Sequence, residues 1–110
     1  MKHYSVIITP QAFGHLENIG QDIRVSLQAP ETARRLIAAL RKEMQSLSSM
    51  PNSIPLTEEE PWRSEGLHKM PVKNYIIYFW VDEANLAVRV TAVIYGRRDQ
   101  KQALEELKNE

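Results

Sequence analysis

The chain contains no cysteine. Disulfide cross-links and thiolate metal sites are therefore excluded, and His3, His15 and His68 lack the spacing of a zinc site. No apolar run approaches the roughly 18 residues that span a bilayer. The opening stretch, Met1 to Thr9, is too short in apolar residues for a signal peptide. There is no glycine-rich phosphate loop and no G-x-S-x-G motif. Net charge is absent too: the formal value is +0. That argues against a protein that coats nucleic acid nonspecifically. The sequence thus leads us to expect no membrane partner, no metal, no cofactor and a cytoplasmic location.

What is present is ordinary for a globular domain. The 110 residues suffice for one core, and 43% are apolar against 25% charged. No repeat, low-complexity segment or internal boundary divides the chain, so 1–110 reads as a single domain. Charge is uneven along it. Residues 61–101 hold seven basic and four acidic residues, a local +3, while Glu58-Glu-Glu60 and the C-terminal glutamates balance it.

Tyr4 to Ile8 is a β-branched run and predicts a strand. Thr9-Pro10 then starts a helix, with Thr as cap and Pro at the first helical position. Phe13, Leu16, Ile19, Ile23 and Leu27 form one helical face. After Gln28-Ala29-Pro30, a second stripe runs through Ala33, Leu36, Ile37, Leu40, Met44 and Leu47. The short connection predicts an antiparallel helical hairpin. Ser48 to Pro61 carries three of the six prolines and reads as an irregular loop.

Three strands follow: Leu67 to Val72, an edge strand by its Pro71; Asn74 to Val81, apolar on both faces and so central; and Leu86 to Tyr95. Asp82 to Asn85 is the hairpin loop between the last two. Asp99 is placed to cap a short last helix, with Gln102 as its capping-box partner and Ala103, Leu104 and Leu107 as its apolar positions. The expected fold is α+β, β-α-α-β-β-β-α, an antiparallel sheet packed on one side by the α-helical hairpin.

Alternation in the last strand sets the expected faces. Leu86, Val88, Val90, Ala92 and Ile94 point toward the hairpin, and Arg89, Thr91, Val93 and Tyr95 point to the open side. Arg97 continues that side if Gly96 does not bend the chain. Candidate chemistry therefore gathers there. Arg97 and Arg98 offer fixed positive charge and a bidentate fork for phosphate. His68 has the right unperturbed pKa for proton transfer. Lys69 and Arg63 can position a polyanion, and Tyr95 can stack on a base. The plainer roles are packing for the aromatics and solubility or pairing with Asp99 for the arginines.

Asn74-Tyr-x-Ile-Tyr, Val81-Asp-Glu and Val93-Ile-Tyr-Gly-Arg-Arg-Asp99, set in that order of elements, resemble the RelE/ParE toxin superfamily of bacterial type II toxin–antitoxin systems, often called plasmid-stabilisation proteins. The resemblance covers nearly the whole chain. It implies a growth-arresting toxin neutralised by a cognate antitoxin. In RelE-like members the toxin is a metal-independent endoribonuclease that cuts ribosome-bound mRNA. The resemblance then implies His68, Tyr95, Arg97 and Arg98 as catalytic, and Arg63, Lys69 and Arg89 as RNA-binding. Ribosome-dependent mRNA cleavage is the function expected here; the alternative is that of ParE-like members, in which the toxin inhibits DNA gyrase without an enzymatic step. Ile76 stands where an arginine often occurs, and the last helix has neither Tyr nor His.

Overall fold

The computed structural model describes residues 2–107. Strand β1 is Ser5–Ile8, helix α1 Pro10–Gln21 and helix α2 Pro30–Ser46. A four-residue helix α3, Trp62–Glu65, precedes strands β2 (His68–Val72), β3 (Tyr75–Asp82) and β4 (Ala87–Tyr95), and helix α4 is Gln100–Glu105. The expected α+β order is found, with α3 added inside the segment read as a loop. Among the described residues no helix is long and apolar enough to cross a membrane.

Local chemistry explains the starts and stops. The Thr9 hydroxyl accepts from the Ala12 N–H at 3.2 Å and donates to the Val90 carbonyl at 2.9 Å. It therefore caps α1 and ties that helix to β4. Pro10 follows at the first helical position. Past Gln21 the helix widens into a π-helical stretch, Asp22–Ser26. That widening rotates the stripe, and Leu27, expected in the core, is 70% exposed. At the other end of the chain Asp99 Oδ1 accepts from the Gln102 N–H at 3.1 Å, the expected cap of α4.

The sheet order is β1-β4-β3-β2. β3 is central and β2, with its Pro71, lies at an edge, as the sequence predicts. The expectation of an antiparallel sheet needs one correction: β1 runs parallel to β4, from Ser5 opposite Ala87 to Ile8 opposite Val90. The helical crossover between them, together with β2 and β3, makes that direction possible. β2's outer edge is partly covered by the preceding loop, through Thr57 N–H to the Leu67 carbonyl at 2.8 Å and Lys69 N–H to the Pro55 carbonyl at 3.0 Å.

A β-bulge in β4 decides where side chains point. Tyr78 pairs with Ala92, but its neighbour Phe79 pairs with Val90. Thr91 is the extra residue, and it reverses the parity of everything after it. Val88, Val90 and Val93 therefore share the core beneath the helical hairpin with Leu16, Leu40, Met44, Ile77 and Phe79. Ala92 and Ile94 turn to the second face, where Leu67, Ile76 and Tyr78 form another core covered by Ala103 and Leu104 of α4. The expected single alternation from Leu86 to Tyr95 thus holds only from Val88 to Val90, since Leu86 precedes β4 with φ 45 and is 38% exposed. The second face is not open along its length, because α4 packs on one half of it. Ala103 and Leu104 are each 2% exposed, so α4 is held by burial as well as by its cap.

Candidate functional site

Gln11 and His15 hold the bulge from α1. Gln11 Nε2 donates to the Thr91 carbonyl and hydroxyl, each at 3.3 Å, and the Val93 N–H donates to His15 Nδ1 at 3.1 Å. These side chains serve the β4 edge where β1 has ended. His15 and Asn18 of α1 and Asp22 of the π-helical stretch recur at helical spacing on one side. They face Tyr75, Tyr95 and Arg98 across a cleft of about 430 Å³. The two tyrosine rings meet edge-on, with centroids 5.6 Å apart at 60°. Burial, then Tyr95 and Asp22, push the Tyr75 phenol above its ordinary pKa, so it stays a neutral hydrogen-bond donor.

The predicted residues fall into separate regions. Tyr95 is 45% exposed but lies on the hairpin side, opposite to the face expected for it, because the bulge turns it over. His68 is also on the hairpin side and only 8% exposed. Its ring stacks on Phe79 at 4.9 Å and 7°, and its Nδ1 lies 2.7 Å from the Ile54 carbonyl, which it meets as donor. It packs the β2 edge against the loop. Lys69 and Arg89 are on the second face, where they pair across strands with Tyr78 and Trp80. Arg63, on α3, donates to the Thr57 carbonyl at 3.3 Å.

Arg97 and Arg98 follow β4 in a turn and diverge in role. Arg98 donates to Glu106 on the far side of α4, and its N–H closes the turn on the Tyr95 carbonyl at 3.0 Å. Arg97 is exposed and makes no hydrogen bond or ion pair with any described residue. Gly96 allows a close approach here rather than an unusual φ. A Cβ on it would stand 3.1 Å from the Asn74 carbonyl oxygen. The structure therefore brings Tyr95 and Arg98 together with His15, Asn18 and Asp22. It keeps Lys69 and Arg89 on the opposite face and His68 in the packing.

Sequence reasoning missed His15, Asn18 and Asp22. Their spacing of three and four was a legible signal, but the apolar stripe of α1 drew attention to the adjoining face. Among the described residues no group of three or more metal-ligating side chains is clustered.

A further surface crosses the outside of the hairpin. Two adjoining cavities, about 540 and 360 Å³, share Arg24, Ile37 and Arg41. The Arg41 guanidinium stands 5.6 Å over the Phe13 ring. The result is a partly apolar groove rimmed by arginines.

A family model described as the ParE toxin of the type II toxin–antitoxin system parDE matches residues 6–100. Among solved structures, the chain resembles one of the chromosomal ParDE toxin–antitoxin system from P. aeruginosa, at TM-score 0.69 and 19% identity over 84% of this chain and 96% of that one. It resembles a chain of the RelBE2 toxin–antitoxin complex from Mycobacterium tuberculosis at TM-score 0.63 and 19% identity, over 84% and 98%. A mutant E. coli RelE toxin in the free state aligns at TM-score 0.57 and 13% identity, over 92% of each chain. No curated protein sequence matches the chain.

Proposed function

The chain belongs to the ParE toxin family of type II toxin–antitoxin systems, and from that premise we propose that it arrests growth by inhibiting DNA gyrase through protein contact, without an enzymatic step. The observation that carries this reading is the separation of the residues that RNA cleavage would need together. His68 is stacked on Phe79 and only 8% exposed, Tyr95 stands opposite Tyr75 four residues away along β3, and Arg98 is engaged by Glu106. In-line cleavage needs an acid, a base and charge stabilisation within about 3 Å of one phosphate. A packed His68 and a Tyr95 about 13 Å away, at the rise of a strand, do not meet that need without rearrangement.

The surfaces that remain are suited to docking. Trp80 is half-buried, and Ile7 and Arg89 beside it on the second face are exposed. We assign these to the target. We assign the antitoxin to the groove across α1 and α2, where an amphipathic segment with acidic flanks would meet apolar floor and arginine rim. The groove and the target surface lie on different sides of the sheet.

Induction of the toxin in cells separates this reading from ribosome-dependent mRNA cleavage. Plasmid DNA isolated after induction should lose negative supercoiling, while primer extension on abundant messages shows no new 5′ ends. New 5′ ends appearing with unchanged plasmid topology would sink the gyrase reading and favour the nuclease.

A further inference from the structure

The pairing of β3 with β4 continues past its last strand residues. Tyr75 stands opposite Tyr95, and beyond them the Gly96 N–H donates to the Asn74 carbonyl at 2.8 Å. Lys73 and Arg97 are the chain neighbours of these two bonded residues, each set in a turn. Lys73 belongs to the tight turn between β2 and β3 and has φ 58. Glycine and asparagine are the usual occupants of backbone with positive φ, so a lysine there carries backbone strain. Both side chains are exposed, and neither pairs with a described residue. Lys101, also exposed, follows on α4. The acids nearby are engaged: Asp99 accepts from Gln102 N–H, and Glu106 accepts from Arg98.

We propose that this tip binds the phosphodiester backbone of DNA, with Lys73 and Arg97 as its anchors. The inference rests on the gyrase reading, since a protein docked on gyrase lies near the DNA that gyrase holds. The chemistry of the tip selects the partner. Lys73, Asn74, Gly96, Arg97, Arg98 and Asp99 include no apolar side chain. A protein partner needs a desolvated apolar anchor at the centre of its interface, whereas a phosphate needs charge and donors on an accessible surface. The arginine supplies a bidentate fork and the lysine a mobile point charge.

The test uses the purified full chain, a short labelled DNA duplex and purified gyrase. Binding to the duplex, read by anisotropy across a salt series, should weaken steeply with salt. The double variant Lys73→Gln with Arg97→Gln should lower the slope of log K against log salt by about two, one for each phosphate that is no longer neutralised. Lys73→Arg with Arg97→Lys should retain the wild-type slope. In the supercoiling assay the Gln variant should require about tenfold more protein for the same inhibition, because the same two phosphates go unneutralised. An unchanged slope overturns the proposal. So does abolished gyrase inhibition with unchanged DNA binding, which would assign the tip to an acidic protein surface. Wild-type protein that binds the duplex as predicted yet leaves gyrase untouched would support the DNA-binding tip and refute the gyrase reading instead.

Discussion

Glu83 shows how one side chain can fix a hairpin end. It accepts from the Tyr4 hydroxyl at 2.8 Å, from Asn52 and from the Lys2 ammonium at 3.3 Å. It thereby links the β3–β4 turn to the start of β1 and to the loop after α2. The hydrogen bonds from Tyr4, then Asn52, hold its carboxyl below the usual glutamate range. A group whose pKa is lower when folded contributes stability above its unfolded pKa and loses it as pH falls through the folded one. The expected outcome is that Glu83→Gln flattens the acid limb of stability. Melting temperatures measured from neutral pH down through about pH 4, the ordinary glutamate range, should fall more steeply in the parent than in the variant. Parallel curves would contradict this. Asp82 and Glu60, also held low, by Asn85 and Ser64 respectively, keep their own contributions in both proteins. At this scale the sequence marked Arg97 and Arg98 as a pair but not their division of labour. That division depends on Glu106, eight residues beyond Arg98, which no local pattern brings to it. His68 was a natural proton-transfer candidate by type. Its stacking on Phe79 depends on strand register, which the residue itself does not encode.

Elements were legible where periodicity was strong and misjudged where one residue changed the phase. The hairpin, the central position of β3 and the Asp99 cap followed from spacing, apolar content and capping chemistry. The bulge at Thr91 did not, because Val90-Thr-Ala-Val93 reads as continuous strand and the extra residue shows only against Tyr78 and Phe79. Its consequence was large: Tyr95 moved to the hairpin side, and Ala92 and Ile94 moved under α4. The packing of α4 carries a prediction. Leu104, 2% exposed, fills the second core with Ile76, Tyr78 and Ile94. Leu104→Ala should cost about 2–5 kcal/mol in urea denaturation, the range for a leucine truncated in a packed core. A loss below about 0.5 kcal/mol, the size of a surface change, would mean that α4 does not close that face.

For the molecule as a whole, zero net charge hides a division of surfaces. The arginine-rimmed groove lies over the hairpin, and the Trp80–Arg89 strip and the Arg97 turn lie elsewhere. Inhibition and neutralisation should therefore separate by mutation. Arg24 borders both cavities of the groove. Arg24→Glu should weaken antitoxin binding about tenfold at low salt and less at high salt, as expected for a charge reversal against an acidic partner, with toxicity retained. Titration calorimetry at two ionic strengths checks the first part, and growth after induction checks the second. Family and fold were readable from the strand motifs together with the element order. The target was not, because cleavage and docking use similar residue types, and the motifs are shared by both kinds of member. The most direct measurement is supercoiling of relaxed plasmid by purified gyrase with increasing amounts of this protein, with no ribosome present. The account predicts dose-dependent inhibition that added antitoxin reverses. Full gyrase activity at a large excess of correctly folded protein would contradict it.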